Sequence, residues 1–301
     1  MLELKNPKIA VPVVLFAGIV WSFGPLVVRY MDNPNQVPWQ YIFGRGLTIF
    51  ILLNLYLYFE EGIKFYKNYL KMGYSGIIGG TGLGIAMISF IYSITNTSAA
   101  ITLLCLAAMP FFTALLAFLF LNEKISLNVW ISIFIATVGI IIMAFGSTGS
   151  NSVVGFIFGM LSSIGFSIFS VTLRWRTETP KFTTVAFSGF FCFVFSAIML
   201  LSTKQVFFST SYNGALFSLH GTLVCLGLIL YSIGSKAIPA AELTLLSLTE
   251  VIGGIFWVWL PILGINEVPD TYTIVGGFFL FISLIYYSLV MRWNKRHIAL
   301  N

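Results

Sequence analysis

The stretch Ile238–Val251, IPAAELTLLSLTEV, carries a carboxylate into the middle of an otherwise apolar, membrane-length segment. If a helix begins at Pro239, Glu250 lies about 16 Å along it, roughly half of a ~30 Å hydrocarbon core. A charge at that depth costs about 2.5–3.5 kcal/mol on insertion scales, so a retained one usually faces a cavity, a partner or water. An earlier stretch, Thr97–Pro110 (TSAAITLLCLAAMP), aligns with it and sets Met109 opposite Glu250. The helix is repeated and the carboxylate is not.

Working outward, the whole chain has the same character. Of its 301 residues 58% are hydrophobic and 9% charged, and the mean hydropathy is strongly positive. A soluble protein cannot cover its surface with that composition. The apolar residues fall into ten membrane-length blocks, at 9–30, 38–59, 74–95, 98–121, 127–146, 152–174, 182–203, 213–234, 239–263 and 272–293. The expected fold is therefore an all-α polytopic membrane protein of ten transmembrane helices. The first block is too long for a signal-peptide core and lacks a small-x-small cleavage site, so it counts as a helix. Cys105, Cys192 and Cys225 all lie inside apolar blocks, which gives no disulfide framework and no metal-ligand spacing.

The formal charge of +6 comes from basic residues spread over short loops, which argues against a nucleic-acid partner. On the ten-helix count, one face collects Lys5, Lys8, Lys64, Lys67, Lys71, Lys124, Arg174, Arg176, Lys181, Lys236, Arg292, Lys295 and Arg296. Arg29 and Lys204 fall on the other face, and Arg45 lies inside the second helix. By the positive-inside rule both termini are expected in the cytoplasm and the protein in the cell (inner) membrane. The lopsided split also supports the helix count.

Two further echoes join the first. Trp21-Ser-Phe-Gly-Pro-Leu-Val-Val-Arg29-Tyr pairs with Phe166-Ser-Ile-Phe-Ser-Val-Thr-Leu-Arg174-Trp, and Glu123 in LFLNEK recurs as Glu267 in LGINEV. Together they describe a duplication of five helices: residues 1–146, a polar linker at 147–151, and residues 152–301. Five is odd, so the second copy enters from the opposite side and the repeat is inverted. That architecture suits alternating access around a shared central site. The glycines of the third helix, at 73, 76, 79, 80, 82 and 84, serve either close packing or cavity formation. Trp39, Trp130, Trp175 and Trp293 at helix ends read as interfacial anchors.

WSFGPLVVRY followed by PWQYIFGRG, then SAAITLLCLAAMPFFTALLAFLFLNEK and PAAELTLLSLTEVIGGIFWVWL, resembles the drug/metabolite transporter superfamily in its ten-helix EamA-type branch. The resemblance covers nearly the whole chain. It implies two inverted EamA-type repeats, a central cavity and export of small metabolites such as amino acids. The chain departs from the pattern at Val251, where many relatives would carry proline after the glutamate. Without it the ninth helix is expected to be less kinked.

Intramembrane polar residues are few, which makes them informative. Glu250 reads as a cavity residue for a substrate amine or a cycling proton, or as a neutral structural carboxyl. Arg45 lies about 10 Å into the second helix on one stripe with Tyr41 and Thr48. It either meets a substrate carboxylate or Glu250, or snorkels to the headgroups. Trp21 and its repeat mate Phe166 sit mid-helix, as cavity lining or as core. Trp257 follows Glu250 by seven residues on one helix face and reads as an outer cavity wall or as lipid-facing bulk. His220 is a titrating site residue or a helix-to-helix hydrogen bonder. Glu123 and Glu267 read as topology or loop-docking residues, and Glu242 as a carboxylate favoured at a helix start.

The leading reading is a secondary transporter of a small amphipathic metabolite, with the lipid bilayer and a small-molecule substrate as partners and protons as one coupling option. Oligomeric state is not set. No ATP-binding loop or cluster of metal ligands is present, and no cofactor or metal is expected. A channel would need a continuous polar stripe where single polar residues are found. An enzyme built on Glu250 and His220 has no nucleophile constellation to support it, so no catalytic residue is assigned.

Overall fold

Prolines and short polar residues set where the helices start. Asn6 caps α1 (Pro7–Ser22) by accepting from Lys8 N at 3.0 Å. A break at Phe23 separates it from α2 (Gly24–Arg29), which carries Pro25 in its first turn. Pro38 opens α3 (Pro38–Glu61), and the short α4 (Lys67–Lys71) leads into α5 (Gly73–Asn96). Ser98 caps α6 (Ala99–Leu106), accepting from Ile101 N at 3.1 Å, and α7 (Met109–Leu121) ends on Asn122 in the left-handed region. There follow α8 (Leu127–Gly146), α9 (Ser150–Trp175), α10 (Lys181–Ser202) and α11 (Ser211–Gly234), the last capped by Thr210. The chain closes with α12 (Ala240–Leu246), α13 (Thr249–Trp259) and α14 (Thr271–Ile298).

The structure, a computed structural model, describes residues 4, 6–34, 37–122, 127–146, 150–176, 178–208 and 210–298. Glu123, residues 147–149 of the expected linker, and the side chains of Trp293 and His297 lie outside this description. Within it, eight spans are long and apolar enough to cross a membrane, with shorter apolar helices at Trp130–Phe145 and Thr271–Ser283. Among the described residues the fold is all-α, and with the two shorter helices it counts ten apolar spans, numbered here in chain order. Three of those spans are broken: the first at Phe23, the fourth at Ala107–Ala108 and the ninth at Ser247–Leu248.

Neighbour relations follow an inverted twofold pattern. Exchanging the halves carries the α5–α9 packing onto α11–α1, α10–α5 onto α3–α11, and α7–α9 onto α13–α1. Two pairs map onto themselves, α3 with α10 and α8 with α14. Each of these crosses at a reciprocal pair of glycines. A Cβ on Gly46 would lie 3.0 Å from Gly189 O, and one on Gly189 2.9 Å from Gly46 O. Gly139 and Gly276 meet in the same way, at 2.6 and 2.5 Å. Lipid supplies little driving force between helices, so such close backbone approach and its dispersion contacts hold the pairs together.

The glycines of α5 are packing residues. Gly79 faces Thr172, Gly80 comes within 2.9 Å of Thr184 O by its would-be Cβ, Gly82 within 3.0 Å of Gly165 O, and Gly84 faces Phe191. Repeat geometry also recurs in the two arginines: Arg29 donates to Thr97 O at 2.9 Å, and Arg174 donates to the repeat-equivalent Ile238 O at 2.9 Å. Trp130 and Trp175 are exposed at helix ends, while Trp39 packs on Tyr92 and Phe195. The three cysteines are free thiols and buried.

Candidate functional site

The break in the ninth span sits one residue before the helical turn that carries Glu250, and it forms without proline. Short i→i+3 bonds tighten the turn, Glu250 N to Ser247 O at 2.9 Å and Val251 N to Leu248 O at 3.0 Å. Hydroxyls take up the carbonyls that the interrupted helix frees. Ser247 Oγ donates to Thr244 O at 2.8 Å, and Thr249 Oγ1 donates to Leu246 O and across to Leu15 O at 3.1 Å. Serine and threonine re-satisfying freed backbone is how membrane helices tolerate breaks. The expectation of a less kinked ninth helix is corrected on this ground. In the fourth span the equivalent work is done from α9, where Ser163 Oγ donates to Cys105 O and Ser167 Oγ to Met109 O at 3.0 Å. Glu250 thereby lies in the first turn of α13, where the helix dipole favours a carboxylate.

Beside the breaks of the fourth and ninth spans, seven spans leave a central cavity of about 70 Å³. Glu250 and Met109, the repeat-equivalent pair, both line it, as do Trp21 and Phe166, the other such pair. Arg45 reaches it from α3, His220 from α11, Ser162 from α9, and Met87 and Phe90 from α5. Arg45 is 2% exposed and donates through Nη2 to Met87 O, so it is held by protein and does not snorkel. Glu250 is half-buried, and no ion pair joins it to Arg45 among the described residues. A cation and an acid therefore share one small space without neutralising each other by contact. Trp21 is fixed in the wall by Nε1–H donation to Val224 O at 3.3 Å and by edge-on packing against Phe166, ring centroids 5.7 Å apart.

Tyr41 lies just behind this lining, 1% exposed, with its hydroxyl 2.7 Å from His220 Nδ1. Trp257 is placed elsewhere. It stacks on Phe23 at 4.9 Å and donates from Nε1 to Ser22 Oγ at 3.0 Å, so it fastens α13 to the break in the first span. The seven-residue spacing gives the right helix face but a level two turns from Glu250. Sequence reasoning did not reach Met87, Phe90 and Ser162, whose types carry no signal on an apolar helix. The nearest clue was the glycine-rich face of the same α5.

A larger cleft of about 720 Å³ opens between α13 and α14, lined by residues such as Leu104, Leu248, Ile252, Ile274 and Phe281. Its hydroxyls are already engaged, Thr249 with Leu15 O and Thr273 with Asp270. Such a lining suits hydrocarbon, and the polar chemistry lies in the smaller cavity.

The face opposite the chain termini carries the one ion pair among the described residues. Arg29 Nε donates to Glu267 Oε2 at 2.8 Å, while its other nitrogens donate to Ile94 O at 2.7 Å and Thr97 O. Glu267 Oε1 also accepts from Ala99 N at 2.6 Å, at the start of α6. Glu267 is thus a docking residue that ties three segments together at this end of the bundle.

Comparison with known proteins gives a consistent picture. Residues 8–145 match the EamA-like transporter family. An uncharacterized transporter of Helicobacter pylori (strain J99) is 31% identical over 160 residues, 52% of this chain and 51% of the relative. In that alignment the chain spans about half the length of the curated relative. The pseudopaline exporter CntI of Pseudomonas aeruginosa (strain UCBPP-PA14) is 24% identical over 243 residues, 76% of this chain and 84% of the relative. One crystal structure superposes with a TM-score of 0.67 at 14% identity, over 95% of this chain and 99% of its own, which speaks to the fold alone.

Proposed function

We propose that this chain, an EamA-type member of the drug/metabolite transporter superfamily, carries a small zwitterionic metabolite such as an amino acid outward across the inner (plasma) membrane by alternating access. The observation that carries the reading is the placement of Arg45 and Glu250 on one central cavity with no ion pair between them. A zwitterion offers a carboxylate to the guanidinium and an amine to the carboxyl, so each of the two gains an oppositely charged partner when substrate is bound. Trp21 and Phe166 supply apolar walls contributed once by each repeat.

A cavity of about 70 Å³ corresponds to two or three water molecules. Loading therefore requires the walls to move. Breaks in three spans give hinges about which the half-helices swing, and inverted repeats give two arrangements of similar energy. Outward direction is supported by the name of the Pseudomonas relative, an exporter.

The test is export or counterflow in proteoliposomes with a panel of amino acids, amines and nucleosides at several pH values. Hydrogen bonds to charged groups contribute about 1.5–3 kcal/mol, so Glu250→Gln is expected to slow transport of amine-bearing substrates by roughly tenfold or more. It should also flatten the pH dependence. Undiminished and equally pH-dependent transport by Glu250→Gln would remove that carboxyl from the mechanism.

A further inference from the structure

We propose that Tyr41 and Gly24 are positioning residues that present the Nε2–H of His220 to the cavity as a second donor for the substrate carboxylate, beside Arg45. The inference rests on the zwitterion reading above and adds what recognises its acidic end.

Tyr41 and His220 are both buried, 1% and 2% exposed. Their one mutual bond joins the phenol oxygen to Nδ1 at 2.7 Å, and the Tyr41 hydroxyl makes no other hydrogen bond among the described residues. Were Nδ1 the donor, the phenol proton would be left in a buried place with no acceptor. The arrangement that satisfies both groups has Tyr41 donating to Nδ1, and this puts the proton of the neutral ring on Nε2.

The ring is also fixed in direction. Tyr41 and Phe90 lie against it with centroids at 5.7 and 6.4 Å. On its remaining edge stands Gly24, the first residue of α2 after the break in the first span. A Cβ there would lie 2.7 Å from Nε2 and 3.4 Å from Cδ2. Glycine at 24 leaves that edge the room any larger residue would take, one helical turn from the cavity-lining Trp21.

The cavity then offers two donors and one acceptor. Arg45 spends Nη2 on Met87 O and keeps its other N–H groups, the lining residue His220 supplies a neutral N–H at Nε2, which has no protein partner among the described residues yet is not sealed from access, and Glu250 supplies carboxylate oxygens. Trp21 and Ser162 have spent their donors on Val224 O and Ala86 O. Two donors from different helices match the two oxygens of a carboxylate. The site should therefore separate an amino acid from the amine left when its carboxylate is removed.

The experiment uses the full chain in proteoliposomes and measures KM for amino acids and for their decarboxylated amines. Tyr41→Phe, which keeps the ring and loses the hydroxyl, is expected to raise KM for amino acids roughly tenfold and to leave amines unchanged. His220→Gln, whose amide nitrogen reaches near the Nε2 position, should retain the preference for amino acids, and His220→Leu should lose it. Gly24→Ala should behave as Tyr41→Phe. Equal effects on both substrate classes, or none on either, would overturn the proposal, since packing alone does not distinguish them. The His220→Gln and His220→Leu pair decides the matter if Tyr41→Phe fails to fold. Wild-type protein that carries no zwitterion at all would instead sink the proposed function, and this inference with it.

Discussion

Gly18 sits where the first span meets the break in the ninth. A Cβ built on it would run into Thr249 Oγ1 and come within 2.9 Å of Ser247 O and 3.2 Å of Glu250 N. These are the atoms that shape the turn under Glu250, and two of them are backbone. Gly18→Ala is therefore expected to push the first turn of α13 off α1, at a cost of about 1–3 kcal/mol. The measurement is a melting temperature in detergent together with transport rate, both of which should fall. Gly214→Ala is the control, since its nearest neighbour would be 3.8 Å away, and it should lower neither. At this scale the sequence was informative where burial is expensive. Glu250 and Arg45 stood out because a charge in hydrocarbon needs a reason, and both line the cavity. Met87 and Phe90 did not stand out, because an apolar side chain on a membrane helix reads the same whether it faces a cavity, a neighbour or lipid. Tyr41 and His220 were legible as polar residues, but the bond between them depends on how α3 and α11 pack, which no spacing along the chain reveals.

The elements that matter most are the half-helices, and these were legible only in part. Pro25 and Pro110 mark two of the breaks, while the third depends on Ser247 and Thr249 finding carbonyls, and Thr249 finds one of its two on another span. A rule about proline cannot see that. The half-helices at the end of the bundle away from the start of α1 are then held by Arg29 and Glu267, which join α2, the α5–α6 turn and the segment before α14. In an alternating-access cycle this clasp must open whenever the cavity faces that side. Arg29→Gln or Glu267→Gln is expected to favour the open form by about tenfold, the effect of losing a charged hydrogen bond. A cysteine replacing Ser162 in the cavity, with the three native thiols removed, should then react faster with a membrane-impermeant maleimide added from that face. Swapping the charges should restore closure only in part, because Arg29 also holds the Ile94 and Thr97 carbonyls. Labelling at the wild-type rate in both single variants would mean that the clasp stitches the face together and does not gate it.

For the whole molecule, the fold was legible because the duplication is written twice, in Thr97–Pro110 and in Ile238–Val251, and five helices per copy oblige inversion. The self-reciprocal glycine pairs Gly46 with Gly189 and Gly139 with Gly276 are the physical trace of that inversion at the twofold. An even number of spans puts both termini on one side of the membrane, and charge decides which. At one end of the bundle Arg174 donates to Ile238 O, Lys181 to Ser235 Oγ, and the start of α1 packs on Gly234 at the end of α11. The opposite end has Arg29, already paired with Glu267, and Lys204. Lysine and arginine in short loops are retained on the cytoplasmic side, so both ends of the chain are expected there. A green fluorescent protein fused at the C-terminus should fluoresce, and alkaline phosphatase fused at the same place should be inactive. A cysteine placed in the 203–210 loop should be labelled from outside intact cells by an impermeant maleimide, whereas one placed beside Lys64 should not. Active phosphatase, or the reverse labelling pattern, would reverse the orientation. It would also reassign the Arg29–Glu267 clasp to the cytoplasmic gate while leaving the central cavity and its residues where they are.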